Sequence, residues 1–355
     1  IINRLPVVIY FILIFAALMV IISAVAPMSN HEPKTTDTYS DFSTGWLNCE
    51  ESEASLDHLS GTTVIHRTIT AADCNKTLFF FAKTSNIKVF IDGVCQYRNN
   101  HFCSQFFGKT PGALFVNVLI PAESDGKLLE IEIENPYKDD DSAKLDEMYI
   151  GDISDIIQFQ QQKRFNSFCI SFIIMVLGVV MLLLFIPLTR QKIVGIEFLN
   201  LGVTAFVSGL YLTTDGRYLQ LVFGDAHIYH VIAETTLRLS ILPFLIFLSQ
   251  MYESYSKRIS AILCVIGEIA FAGCFIGEIT EIMDYHETLF LVHVVFAISM
   301  LFILVSTIKG IVKAPKENIY HNIGSIVLSF MALTDIIVLW RGTGRETSYF
   351  IRLGI

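Results

Sequence analysis

The feature that most constrains this chain is a series of apolar runs of about twenty residues, the length a helix needs to cross roughly 30 Å of hydrocarbon. They are Leu5 to Met28, Asn166 to Leu188, Val194 to Thr214, Ile228 to Gln250, Ile259 to Ile279, Leu289 to Ile308 and Asn322 to Trp340. With 53% hydrophobic and 17% charged residues over 355 positions, the chain does not have the composition of soluble domains. The pattern predicts an N-terminal transmembrane anchor over 1–28 and a multi-helix transmembrane domain over 166–355. That domain holds six helices and the start of a seventh at Tyr349 to Ile355. Because the sequence opens on Ile1 and stops inside that last run, it reads as part of a longer protein. Ala24-Val25-Ala26 has the form of a signal-peptide cleavage site. The apolar core before it is longer than a signal peptide carries, so the expectation is an uncleaved anchor.

Loop charge gives the expected orientation, since Lys and Arg in short loops stay on the cytoplasmic side. Placing Arg4 inside puts Arg190, Lys192, Lys257, Arg258, Lys309, Lys313 and Lys316 inside as well, and leaves Arg217, Arg341 and Arg345 outside. Residues 29–165 are then extracellular and the N-terminus cytoplasmic, in a multi-pass cell-membrane protein. The net charge of −9 comes with no basic patch for nucleic acid.

Between Ser29 and Lys163 the pattern turns to short alternating runs at Thr62 to Ile69, Thr77 to Ala82, Asn86 to Asp92, Val94 to Tyr97, Leu114 to Ile120, Leu128 to Ile133 and Glu147 to Ile150. Period-two alternation marks half-buried strands. It is clearest where Leu129, Ile131 and Ile133 interleave with Glu130, Glu132 and Glu134. Asp92-Gly93 between two runs predicts a hairpin, and the set predicts an antiparallel sandwich of roughly eight strands. The segments Asn86 to Gly93, Tyr97, Phe106 to Gly112, Asn135-Pro136-Tyr137 and Met148 to Gly151 resemble the jelly-roll, galactose-binding-like ectodomain of bacterial seven-transmembrane receptors with diverse intracellular signalling modules. The resemblance implies an extracellular small-molecule or saccharide ligand. It also implies an output beyond Ile355 of the diguanylate cyclase (GGDEF) or histidine kinase type, and neither motif occurs in this sequence.

Candidate site residues divide between the two halves. Trp46, Tyr97 and Tyr137 are aromatics of the kind that stack on sugars, and equally of the kind that fill cores. Gly108-Lys109-Thr110 imitates the end of a phosphate-binding loop, but Cys103 stands where that loop needs Gly, so Phe107 and Lys109 are read as turn residues able to touch a ligand. Cys95 and Cys103 flank one loop and are a candidate disulfide. His101 and Cys103 lack a second pair at ligand spacing, so no metal is expected, and no cofactor or catalytic constellation is visible.

Inside the apolar runs ionisable residues are costly and therefore informative. Glu234 and Arg238 are one turn apart in the favourable order. Glu197, Glu268, His293 and Asp335 lie on other helices, and the six together are read as an intramembrane polar network. Gly273 and Gly277 form a small-xxx-small pair. The leading expectation is the input half of a membrane receptor, with a homodimer compatible with it. The alternatives are a transporter or channel using the polar residues as a path, and an envelope-binding protein without signalling.

Overall fold

The computed structural model describes residues 38–99, 112–137, 143–253, 255–313 and 319–340. Among them, nine strands precede the helices: β1 (Tyr39–Asp41), β2 (Leu47–Asn48), β3 (Thr62–Thr68), β4 (Thr77–Lys83), β5 (Asn86–Ile91), β6 (Val94–Arg98), β7 (Ala113–Leu119), β8 (Leu128–Glu134) and β9 (Lys144–Gly151). They form two antiparallel sheets, one in the order β1-β9-β4-β7 and one in the order β2-β3-β8-β5-β6. Inward-facing residues of both sheets share one core, with Leu78, Phe80, Val116 and Ile150 from the first and Ile65, Ile87, Val89, Leu129, Ile131 and Ile133 from the second. The β5–β6 hairpin turns on Asp92 and Gly93, both at positive φ (52° and 75°), as a two-residue turn matching strand twist requires. β1 and β2 are too short to show an alternation, and the sequence reading had no strand there.

The helices are α1 (Ile153–Arg190), α2 (Ile196–Asp215), α3 (Tyr218–Phe223), α4 (Ala226–Met251), α5 (Lys257–Ile279), α6 (Leu289–Lys313) and α7 (Ile319–Trp340). Five of them, α1, α2, α4 through Gln250, α5 and α6, are long and apolar enough to cross a membrane. The chain therefore has the helices of a multi-pass membrane protein. In α7 the apolar stretch described, Asn322–Val338, is shorter. The expected anchor over 1–28 and the start of a further helix at Tyr349 lie outside the described residues.

Two compact units divide the chain. One combines Ser29–Phe165 with Arg217–Val231, and the other holds Ile1–Met28, Asn166–Gly216 and Ile232–Ile355. We call them the sandwich unit and the helical unit. α1 starts at Ile153, well before the expected Asn166, because Asp152 caps it: its carboxylate accepts from the Ser154 backbone N–H at 2.8 Å and its carbonyl from the Ile156 N–H. In the helical unit, α1 and α2 meet through glycine. A Cβ on Gly178 would overlap the Phe206 backbone and one on Gly209 the Met175 backbone. The pair singled out in the sequence does not do this, since Gly273 has open space around it and Gly277 faces the Met283 carbonyl of its own following turn.

Candidate functional site

In the helical unit the polar network has a centre at Arg238, whose side chain is 1% exposed. From α4, Glu234 accepts from the guanidinium through its carboxylate at 2.6 Å and its carbonyl at 2.7 Å. From the α5–α6 connection, the Tyr285 carbonyl accepts at 2.7 Å and the Thr288 hydroxyl at 3.3 Å. The Tyr285 ring lies under the guanidinium, 4.1 Å away. Its hydroxyl in turn accepts from Thr235 at 3.3 Å. His293, buried on α6, is near enough for the charges of both Glu234 and Arg238 to act on it. One cation thus fastens α4 to the α5–α6 connection using a carboxylate, two carbonyls, a hydroxyl and a π face, the set that makes a buried guanidinium tolerable.

Three of the six residues expected in the network, Glu234, Arg238 and His293, come together, and Tyr285 and Thr288 join them. Glu197 instead accepts from the Gly195 N–H at 3.1 Å, at the start of its own helix, where a carboxylate complements the helix dipole. Asp335 is half-buried on α7 and Glu268 is exposed on α5. None of the three contacts Arg238.

The expected ligand aromatics take interior places. Trp46 is 1% exposed and donates its indole N–H to the Phe42 carbonyl at 2.8 Å. Tyr137 is buried at the end of β8, its backbone N–H donating to Asn135, which also donates to the Leu59 carbonyl. Tyr97 pairs with Val89 and packs on the core, where burial raises its phenol above the ordinary value. Trp46 and Tyr137 thus lie in the interior of the sandwich, the commoner place for an aromatic side chain. Phe107, Lys109 and Cys103 lie outside the described residues, and so does the Cys95–Cys103 pairing; Cys95 itself is an exposed thiol.

The outward face of the second sheet carries polar and aromatic side chains that are distant in sequence and adjacent in register. Across β3, β8, β5 and β6 the register sets His66, Glu130, Phe90 and Cys95 in one row, and Val64, Glu132, Lys88 and Arg98 in the next. Lys88 and Glu132 pair at 2.6 Å. Phe90 is a partly buried ring among carboxylates and cations, and the alternation that placed Val89 and Ile91 inside also placed Phe90 outside.

The first sheet is covered on its outer face as well. Phe79 and Phe81 of β4 point away from the core yet are 1% and 4% exposed. Phe79 stacks on Phe115 at 5.3 Å, and Phe81 packs on it tilted at 5.4 Å. Arg217 lies 4.0 Å over Phe81 and Arg164 5.0 Å over Phe115, while Phe159 packs against Tyr39 and Tyr149. A bulge in β9 puts Glu147 and Met148 opposite Phe80. Glu147 sits at φ 51°, and its carboxylate accepts from Lys163 at 2.6 Å and Arg164 at 2.7 Å. The first turns of α4 reach the start of β7: Gly112, at φ 79°, has the His230 imidazole where a Cβ would stand.

Burial alone would raise the Glu147 carboxyl, but Arg164 and Lys163 outweigh it and hold the group below its ordinary value. Since the folded-state value is depressed, its stabilising contribution is complete above the unfolded value and is lost as pH falls through the folded one. Acidification from about pH 4.5 downward should therefore weaken the sandwich, and a Glu147→Gln chain should lose less stability over that interval. Trp46 emission during denaturant unfolding at pH 6 and pH 3 measures both; equal losses in the two chains would refute the assignment.

Comparison with known proteins returns no match, whether to family models, to curated proteins or to solved structures.

Proposed function

We propose that this chain is the input half of a membrane receptor, in which the sandwich binds an extracellular small molecule of saccharide type and the helices relay the event to a cytoplasmic output such as a diguanylate cyclase. The observation that supports it is a line of residues on α4. His230, counted with the sandwich unit, packs on Gly112. Glu234 and Arg238 follow at four-residue intervals and belong to the helical unit's polar centre. A helix keeps such residues near one face. A shift at Gly112 therefore has a continuous helix on which to act, and the hydrogen bonds of Arg238 to Tyr285 and Thr288 are the contacts it would change. The open face around Phe90, with His66, Glu130 and Glu132 as hydrogen-bonding partners, suits a ligand bearing hydroxyls.

The test uses cells and vesicles carrying the full chain. An impermeant maleimide should label Asp125→Cys and spare Lys313→Cys in intact cells. A saccharide from a panel should raise the melting temperature without accumulating inside vesicles, and a Phe90→Ala chain should lose that shift. Labelling at Lys313 alone, or accumulation of the sugar, would replace the receptor by an inverted topology or a transporter.

A further inference from the structure

Glu268 stands at the middle of α5 (268 − 257 and 279 − 268 are both 11), so its Cα is about 16 Å along the axis from either end, the depth of a bilayer centre. The buried face of α5 is formed by Ser260, Leu263, Cys264, Gly267, Cys274 and Glu278. Glu268 is not on it. It is exposed in a stripe with Ala261, Val265 and Ala272 at helical spacing, next to Ile266, Ile269 and Gly273, all of them exposed. No hydrogen bond or ion pair from the described residues reaches its carboxyl. This outward face is otherwise apolar, and a Cβ added at Gly273 would meet nothing within 4 Å.

A carboxyl facing hydrocarbon at this depth needs a polar counterpart. The apolar run Leu5 to Met28 has only Tyr10 and Ser23 as polar side chains, each five residues from an end (10 − 5 and 28 − 23), and Arg352 is only three residues from the start of the run at Tyr349 (352 − 349), all far from the centre of a span. A second copy of the chain supplies the match. A neutral carboxyl carries one O–H donor and one carbonyl acceptor, so two of them related by a twofold axis satisfy each other, and a twofold interface presents the same patch from both sides. Ala261, Ala272 and Gly273 are small enough to let two such helices approach closely.

We infer that α5 is a homodimerisation helix in which Glu268 of one protomer hydrogen-bonds the partner's Glu268 across a twofold axis at the centre of the membrane. This pairing is independent of what the sandwich binds. The test reconstitutes the full chain, its native cysteines replaced by Ala, at low density in phosphatidylcholine vesicles. Ala272→Cys should give a disulfide-linked dimer on oxidation, while Leu263→Cys, on the buried face, should not. Adding Glu268→Leu should cut the cross-linked fraction about fivefold, as loss of an interhelical hydrogen bond of about 1 kcal/mol would. Glu268→Gln should keep it, because a carboxamide is also both donor and acceptor, and this variant shows that any loss with Leu is not a folding failure. Absence of cross-linking at Ala272, equal cross-linking at Leu263, or a Glu268→Gln chain no better than Glu268→Leu would each overturn the pairing.

Discussion

Arg238→Gln is expected to lower the stability of the helical unit by roughly 3 kcal/mol, the cost of removing one partner from a buried ion pair. The change takes from Glu234 its cation, and from the Tyr285 carbonyl and the Thr288 hydroxyl their donor. Glu234→Gln should cost less, because its side chain is 19% exposed and Arg238 keeps three other oxygen acceptors. The double variant should be more stable than Arg238→Gln alone, since no uncompensated carboxylate is left. Melting temperatures of the four chains in detergent or vesicles form a double-mutant cycle. Strict additivity would mean the two residues do not interact.

Gly112→Ala is expected to cost about 2–4 kcal/mol, combining about 1–2 kcal/mol for a non-glycine residue at positive φ with about 1–2 kcal/mol for overpacking against His230. These parts separate experimentally. His230→Ala makes room for the new methyl but leaves φ unchanged, so Gly112→Ala with His230→Ala should regain the packing share and retain the backbone share. Trp46 fluorescence on unfolding reads the sandwich directly. A double variant no better than Gly112→Ala would place the whole effect in the backbone and remove His230 from the contact.

These two sites also show where the sequence was legible and where it was not. The spacing of Glu234 and Arg238 needs only helical periodicity, so the pair could be seen in one dimension. Tyr285 and Thr288 could not, because the bonds they make span 47 and 50 residues and one of them uses a backbone carbonyl, which any residue carries. In the sandwich, alternation located β8 and the Asp92-Gly93 turn closely, since one face is apolar and the other charged. The place of Trp46 was not legible, because an aromatic ring looks the same in a sequence whether it faces a sugar or a core. Alternation also gave no element over residues 153–165, where Gln158, Gln160, Gln161, Gln162, Lys163 and Arg164 are all polar, yet Gln160 is fully buried and Arg164 is 5% exposed. The two are hydrogen-bonded to each other, and Arg164 also to Glu147. A polar helix face is buried here because the aromatic sheet surface opposite it accepts cations.

The segment Arg217–Val231 belongs to the sandwich unit although most of α1 and all of α2 separate it from the rest of that unit in sequence. The sandwich is therefore not a single cassette. Splicing at the two obvious junctions, before Ser29 and after Phe165, would carry Phe81 and Gly112 into a new host without Arg217 or His230 to cover them, leaving an aromatic strip free to stick to other molecules. A graft, a soluble fragment or a chimera that keeps the sandwich intact has to transplant both stretches together. Exchange of the sandwich is thus tied to exchange of residues 217–231, which run from the end of α2 into the first turns of α4.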